Sequence, residues 1–142
     1  AAGGLARWRE SPPECLAFIV VLDQFSRNLF RNDARAFAAD PLALKTARDA
    51  IARGIDRELL PVERQFVYLP FEHSESLEDQ RRCCALMEEL KAFPETNSLP
   101  EWAQKHMAVI ERFGRFPHRN AALGRASTPE EIEYLTQPGA GF

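Results

Sequence analysis

Three separated segments hold the side chains able to do chemistry. LDQFSRNLFR (22–31) sets Asp23 and Arg27 four residues apart, which on a helix puts both on one face. PFEHSE (70–75) crowds Glu72, His73, Ser74 and Glu75 behind a proline. RFGRFPHRN (112–120) gathers Arg112, Arg115, His118, Arg119 and Asn120 around two phenylalanines and a glycine. An imidazole changes charge near neutrality, so His73 is the leading candidate for proton transfer. Glu72 or Glu75 can act with it, and Asp23 can orient a histidine. Guanidinium groups grip carboxylates and phosphates through two parallel hydrogen bonds. Together these types suit binding, acid–base chemistry or hydrolysis of a small anionic ligand. His73, His118 and Asp23 form the candidate catalytic set. Arg27, Glu72, Arg115, Arg119 and Asn120 form the candidate binding set.

Each group also has a purely structural reading. An acid four residues ahead of a base is an ordinary helix pair, worth ~0.2–0.5 kcal/mol when exposed. Leu22 and Phe25 flank Asp23, which favours burial, and a buried pair needs further hydrogen bonds to offset desolvation. The PFEHSE side chains can cap neighbouring helix ends. Arg115 and Arg119 can neutralise Asp23, Glu63 or Glu72 in a buried network. His106 sits between Trp102 and Ile110 on an apolar stripe and reads as a satisfied core histidine. His73, His118 and a carboxylate have the chemistry for zinc, but no HExxH-like spacing accompanies them, so no metal ligand is assigned. Cys83 and Cys84 lie among core positions and read as packing. No cofactor is identified.

The elements that must position these groups are helices. Ser11, Pro12 and Glu14 spell an N-cap, a first-turn proline and a capping acid. No residue from Cys15 to Leu22 is polar, which fits a central helix surrounded by others. Leu5 and Trp8, three apart, suit a short docking helix before it. Asn32 and Asp33 break the pattern. Asp40 and Pro41 start a helix reaching about Arg53, with Leu44 and Ala47 or Ile51 inward and Gly54 as its stop. A short helix begins at Pro61, with Val62 and Phe66 on one side, and Pro70 is expected to end it. Residues 71–76 then form a polar connection. Ser76 and Asp79 bracket the next first turn, and Cys83, Leu86, Met87 and Leu90 follow at helical spacing up to Pro94. Ser98 and Glu101 bracket another start. Trp102, His106, Val109, Ile110 and Phe113 make its apolar stripe, expected to face Phe18, Val21 or Leu22, and Gly114 closes it. A helical turn from Pro117 and a last helix from Thr128 to Leu135 complete an all-α fold. Six to seven helices with short connections imply antiparallel hairpins. The longest are expected over 12–31, 41–53, 77–92 and 99–113.

With 142 residues the chain has the length of one ordinary domain. Its 21 acidic residues outnumber 18 basic ones, and the basic run at 112–119 is short, which argues against nucleic-acid binding. No apolar run approaches a membrane span, and no signal peptide is visible. Three cysteines, two adjacent and none in CxxC spacing, argue against a disulfide framework or a zinc knot. The compartment expected is the cytoplasm.

LDQFSRNLFR (22–31), RAFAAD (35–40), PFEHSE (70–75) and RFGRFPHRN (112–120), in that order, resemble the bacterial domain-of-unknown-function family 924. The resemblance covers essentially the whole chain from the first cap onward. It implies an all-helical, tetratricopeptide-like right-handed array, and an aromatic-rich N-terminal segment that these residues lack. Ser26 stands where the family most often has proline, so the central helix is expected to be straighter here. What the resemblance supplies is a fold and candidate positions, and function does not follow from a fold.

Two functional classes follow. One is an enzyme or small-ligand binder whose polar pocket forms where the central helix meets PFEHSE and RFPHRN. Asp23, Arg27, His73, Arg115 and His118 would converge there. The other is a helical-repeat-like interaction module without catalysis, taking a peptide or partner helix. A pocket with His73 or His118 open inside it favours the first, and a wide groove with buried histidines favours the second.

Overall fold

The computed structural model describes residues 6–142, apart from the side chains of Ala6 and Trp8. The docking expected of Leu5 and Trp8 therefore lies outside the described residues. Seven helices and no strand occur among them. Helix α1 runs Pro12–Val20, passes through a π turn at Val21–Phe25 and ends as Ser26–Leu29. Then follow α2 (Asp40–Ala52), α3 (Pro61–Glu72), α4 (Leu77–Glu88), α5 (Leu99–Phe113), α6 (Asn120–Leu123) and α7 (Pro129–Leu135). Short 3-10 turns join several of them. Consecutive helices α2 to α5 are one another's main neighbours, and α1 packs on α2 and α3.

The core holds the elements in that order. Cys15 and Ile19 of α1, Ala47 and Ala50 of α2, and Val67, Tyr68 and Phe71 of α3 meet Cys83, Leu86 and Met87 of α4 and Leu90 of the 3-10 turn that follows it. A second cluster gathers Val109 and Ile110 of α5 with Phe116, backed by Leu77, Phe113 and Tyr134. Gly54 (φ 74°) and Gly114 (φ 71°) end α2 and α5 in the left-handed conformation that a side chain resists. Thr128 and Glu131 close the capping box of α7 reciprocally.

Four expectations are corrected. Pro70 does not end α3, which continues to Glu72 with Pro70 buried inside its last turn. Proline forfeits the bond to the carbonyl four residues back and crowds that carbonyl with its ring, and packing of the flanking Leu69 and Phe71 against the core holds the turn together. At 12 residues α3 thus equals α4, whose regular part stops at Glu88 and tightens into a 3-10 turn over Glu89–Ala92. Helix α1 is not a plain α-helix, because its π turn falls just before Ser26. Lastly, α5 packs on α4 and α3 rather than on α1. Trp102, at the edge of its stripe, is 49% exposed and lies under Lys105 Nζ, 4.6 Å from the ring centroid. His106 on the same stripe is buried, 6% exposed.

Candidate functional site

The π turn of α1 carries Asp23, which is 1% exposed. An extra residue in one turn re-aims the side chains around it, and here the carboxylate turns into the protein. It accepts from His73 Nδ1 (2.7 Å), Arg27 Nη1 (3.2 Å) and Gln24 Nε2 (2.5 Å). Burial pushes the Asp23 carboxyl up, yet the hydrogen bond from His73 and the charge of Arg27 outweigh it. The net result lies below the ordinary carboxylate range, so the group is an anion. A carboxylate only accepts, so Nδ1 of His73 carries the proton. His73 sits at the C-cap of α3, and its Nε2 is left for the space in front of it.

Arg27, one turn beyond Asp23, forks onto Asp40 at the start of α2, at 2.7 and 2.9 Å. Arg119, in the 3-10 turn Pro117–Arg119, donates from Nη2 to the backbone carbonyl of His73 at 2.7 Å. It also approaches Asp40 at 3.8 Å. Phe37 lies near both guanidiniums, with Cζ of Arg27 and Arg119 at 5.4 and 4.6 Å from its ring centroid. Burial and the charge of Arg27 lower Arg119 to about 10, which leaves it cationic at neutral pH.

These residues surround a cavity of about 460 Å³ whose lining includes Arg27, Arg31, His73, His106, His118 and Arg119. No Asp or Glu lines it; Asp23 and Asp40 stand behind the lining. Burial, followed by the Arg119 charge, holds His118 down at about 4, so this imidazole is neutral at pH 7. Among the described residues His118 Nδ1 and Arg119 Nε are buried without a hydrogen-bond partner, and such atoms call for an explanation.

The other candidates go elsewhere. Arg115 does not converge with Asp23; it forks onto Glu131 of α7 at 2.9 and 2.7 Å and reaches the Ala126 carbonyl. Neither Arg115 nor Arg119 neutralises Glu63, whose carboxylate instead caps the Leu60 amide. Asn120, 1% exposed, is tied to Ser127, Glu131 and Arg125, which makes it part of the same structural knot. Glu75 accepts from Arg125 and from the Phe116 amide. Glu72 faces away from the cationic cavity into a second, mostly apolar one. Burial, with the Asp23 charge adding to it, raises Glu72 to about 7, whereas burial lowers His106 to about 4. Their 3.8 Å approach is therefore not a firm ion pair, since the imidazole is neutral and the acid half-protonated. His106 Nδ1 donates to the Trp102 carbonyl.

Among the described residues no three His, Cys, Asp or Glu side chains come together as a metal-binding group. The residues that sequence reasoning missed are Gln24, Arg31, Phe37 and Phe142 in the lining and Asp40 behind it. Arg31 was findable by its place four residues after Arg27, although it falls in the turn just past the helical segment Ser26–Leu29. Asp40 was visible only as a helix start.

The chain matches, over residues 1–139, the family described as "Bacterial protein of unknown function (DUF924)". No curated protein matches it. A solved structure from Agrobacterium tumefaciens, titled as that of a protein of unknown function, ATU0120, is 44% identical with a TM-score of 0.86. The match covers 94% of this chain and 73% of that one. The chain belongs to this bacterial family.

Proposed function

We propose that this family member binds a small anionic ligand, a phosphate or carboxylate compound, in the cavity between α1, the end of α3 and the turn at Pro117–Arg119. The observation that carries the reading is the lining: three guanidiniums and three imidazoles, with no Asp or Glu side chain among the described residues there. Arg27 and Arg119 are held in place by Asp40 and the His73 carbonyl, so the receiving charges are preorganised. Arg31 is exposed and supplies the charge that first meets an incoming anion. The unpartnered Arg119 Nε and His118 Nδ1 support a polar guest. The Asp23–His73 pair has the orientation of a general base, its Nδ1 proton fixed and Nε2 available; turnover is the stronger form of the reading, and binding its core. Thermal-shift titration at low ionic strength with inorganic phosphate and with citrate should raise the unfolding temperature of the wild type. The shift should shrink in Arg31→Ala, and equal shifts in both proteins would contradict the reading.

A second reading, a non-catalytic interaction module built as a tetratricopeptide-like array of antiparallel hairpins, has its own support. Phe25 and Leu29, four apart on α1, are 52% and 73% exposed, an apolar pair with the spacing by which helices engage partners. Replacing both with lysine should abolish any partner recovered with the wild type and leave phosphate binding intact.

A further inference from the structure

We propose that the ligand is an amphiphile, its anionic head in the cationic cavity and its apolar tail in the neighbouring cavity beneath Trp102. This deepens the anion-binding reading and rests on it. The second cavity, about 430 Å³, is bounded by Leu69, Leu99, Trp102 and the Gly139–Phe142 region, with Glu72 in its wall. Both cavities share two residues, His106 and Phe142. Phe142 stacks on His106 with ring centroids 3.7 Å apart and planes 20° from parallel, so the two cavities meet at that stack. One side is cationic and the other apolar, and a single molecule carrying both characters matches the pair better than either half alone.

Two further observations fit that occupant. Trp102 is half exposed on a helix whose other stripe residues are buried or half-buried, and it borders the cavity. An apolar tail would cover it. Glu72, 5% exposed, makes no side-chain hydrogen bond among the described residues, and its half-protonated state keeps the second cavity from being firmly anionic. A carboxylate fully charged there would repel the head and disfavour the tail.

The test is calorimetric titration of the 142-residue chain with inorganic phosphate and with ethyl-, hexyl- and decylphosphonate, all below their micellar concentrations. Each methylene buried should tighten Kd roughly fourfold, so hexylphosphonate should bind at least roughly tenfold tighter than ethylphosphonate with two of its four extra methylenes buried, and up to about 250-fold with all four. Trp102→Ala should weaken the hexyl and decyl compounds at least several-fold and leave phosphate unchanged. Equal affinity for all four ligands would overturn the tail site while the anion reading stands. Chain-length dependence that survives Trp102→Ala, or that decanol reproduces, would reduce the effect to surface adsorption and overturn it too. No binding by any of the four would sink the anion reading, and the amphiphile with it.

Discussion

Arg27 and His73 both touch Asp23, yet their losses should differ. Removing Arg27 takes a permanent positive charge from Asp23 and strips Asp40 of both its guanidinium bonds. Breaking a buried pair costs about 3–5 kcal/mol, and the Arg27 side chain is 20% exposed, so Arg27→Ala should cost about 2–3 kcal/mol in urea denaturation. His73→Ala leaves Asp23 with Arg27 and Gln24 and should cost about 1.5 kcal/mol, the low end of the scale for one hydrogen bond to a charged group. Equal losses would show that His73 is as structural as Arg27. The choice of Arg119 over Arg115 was not legible in the sequence, although both occur within RFGRFPHRN. It depends on Glu131, sixteen residues beyond Arg115, and local spacing carries no information about such a partner.

Among elements, α4 was the most legible, because Cys83, Leu86, Met87 and Leu90 are spaced as a core face and all are buried. Helix α5 was half legible. Its stripe is real, but it meets α4 and α3, and the choice of neighbour is a tertiary decision that a helical period does not encode. Trp102→Ala should consequently cost less than about 1 kcal/mol, against about 2–5 kcal/mol for Ile110→Ala, which leaves a cavity in the second core cluster. A Trp102 loss near that of Ile110 would mean its ring is covered in solution. Gly114 makes a separate test of α5. No atom would obstruct a methyl group there, so Gly114→Ala should cost about 1 kcal/mol from the left-handed backbone alone.

At the scale of the whole molecule, buried ionisable groups tie stability to pH in opposing directions. His106 and His118 are lowered from 6.5 to about 4, so the unfolded chain binds more protons than the native one between those values. Their contribution to stability therefore grows as pH rises from about 4 to 6.5. Glu72 is raised from 4.5 to about 7, so there the native state binds more protons and its contribution falls as pH rises from 4.5 to 7. Two histidines against one acid give a net rise toward pH 6.5. In Glu72→Gln the opposing slope is gone, and the variant should gain on the wild type by up to about 3 kcal/mol between pH 4.5 and 7. Parallel pH–stability curves would show that Glu72 is solvated. None of this was legible in PFEHSE, since a carboxyl's burial depends on what packs over it, and here α3 continues through Pro70 to carry Glu72 inward.

Helix spacing and proline placement pointed to the segments around the cavity because buried polar groups need partners wherever they occur. The π turn, the fork onto Asp40 and the His106–Phe142 stack belong to the assembled molecule alone. That a small anion enters the cationic cavity is most directly tested by diffraction from crystals soaked in selenate, with anomalous data collected at the selenium edge. The account predicts an anomalous peak inside the cavity, within hydrogen-bonding reach of Arg119 or His118 and of Arg27 or Arg31. Anomalous density confined to surface arginines such as Arg81 and Arg82, with the cavity empty of selenium, would contradict it.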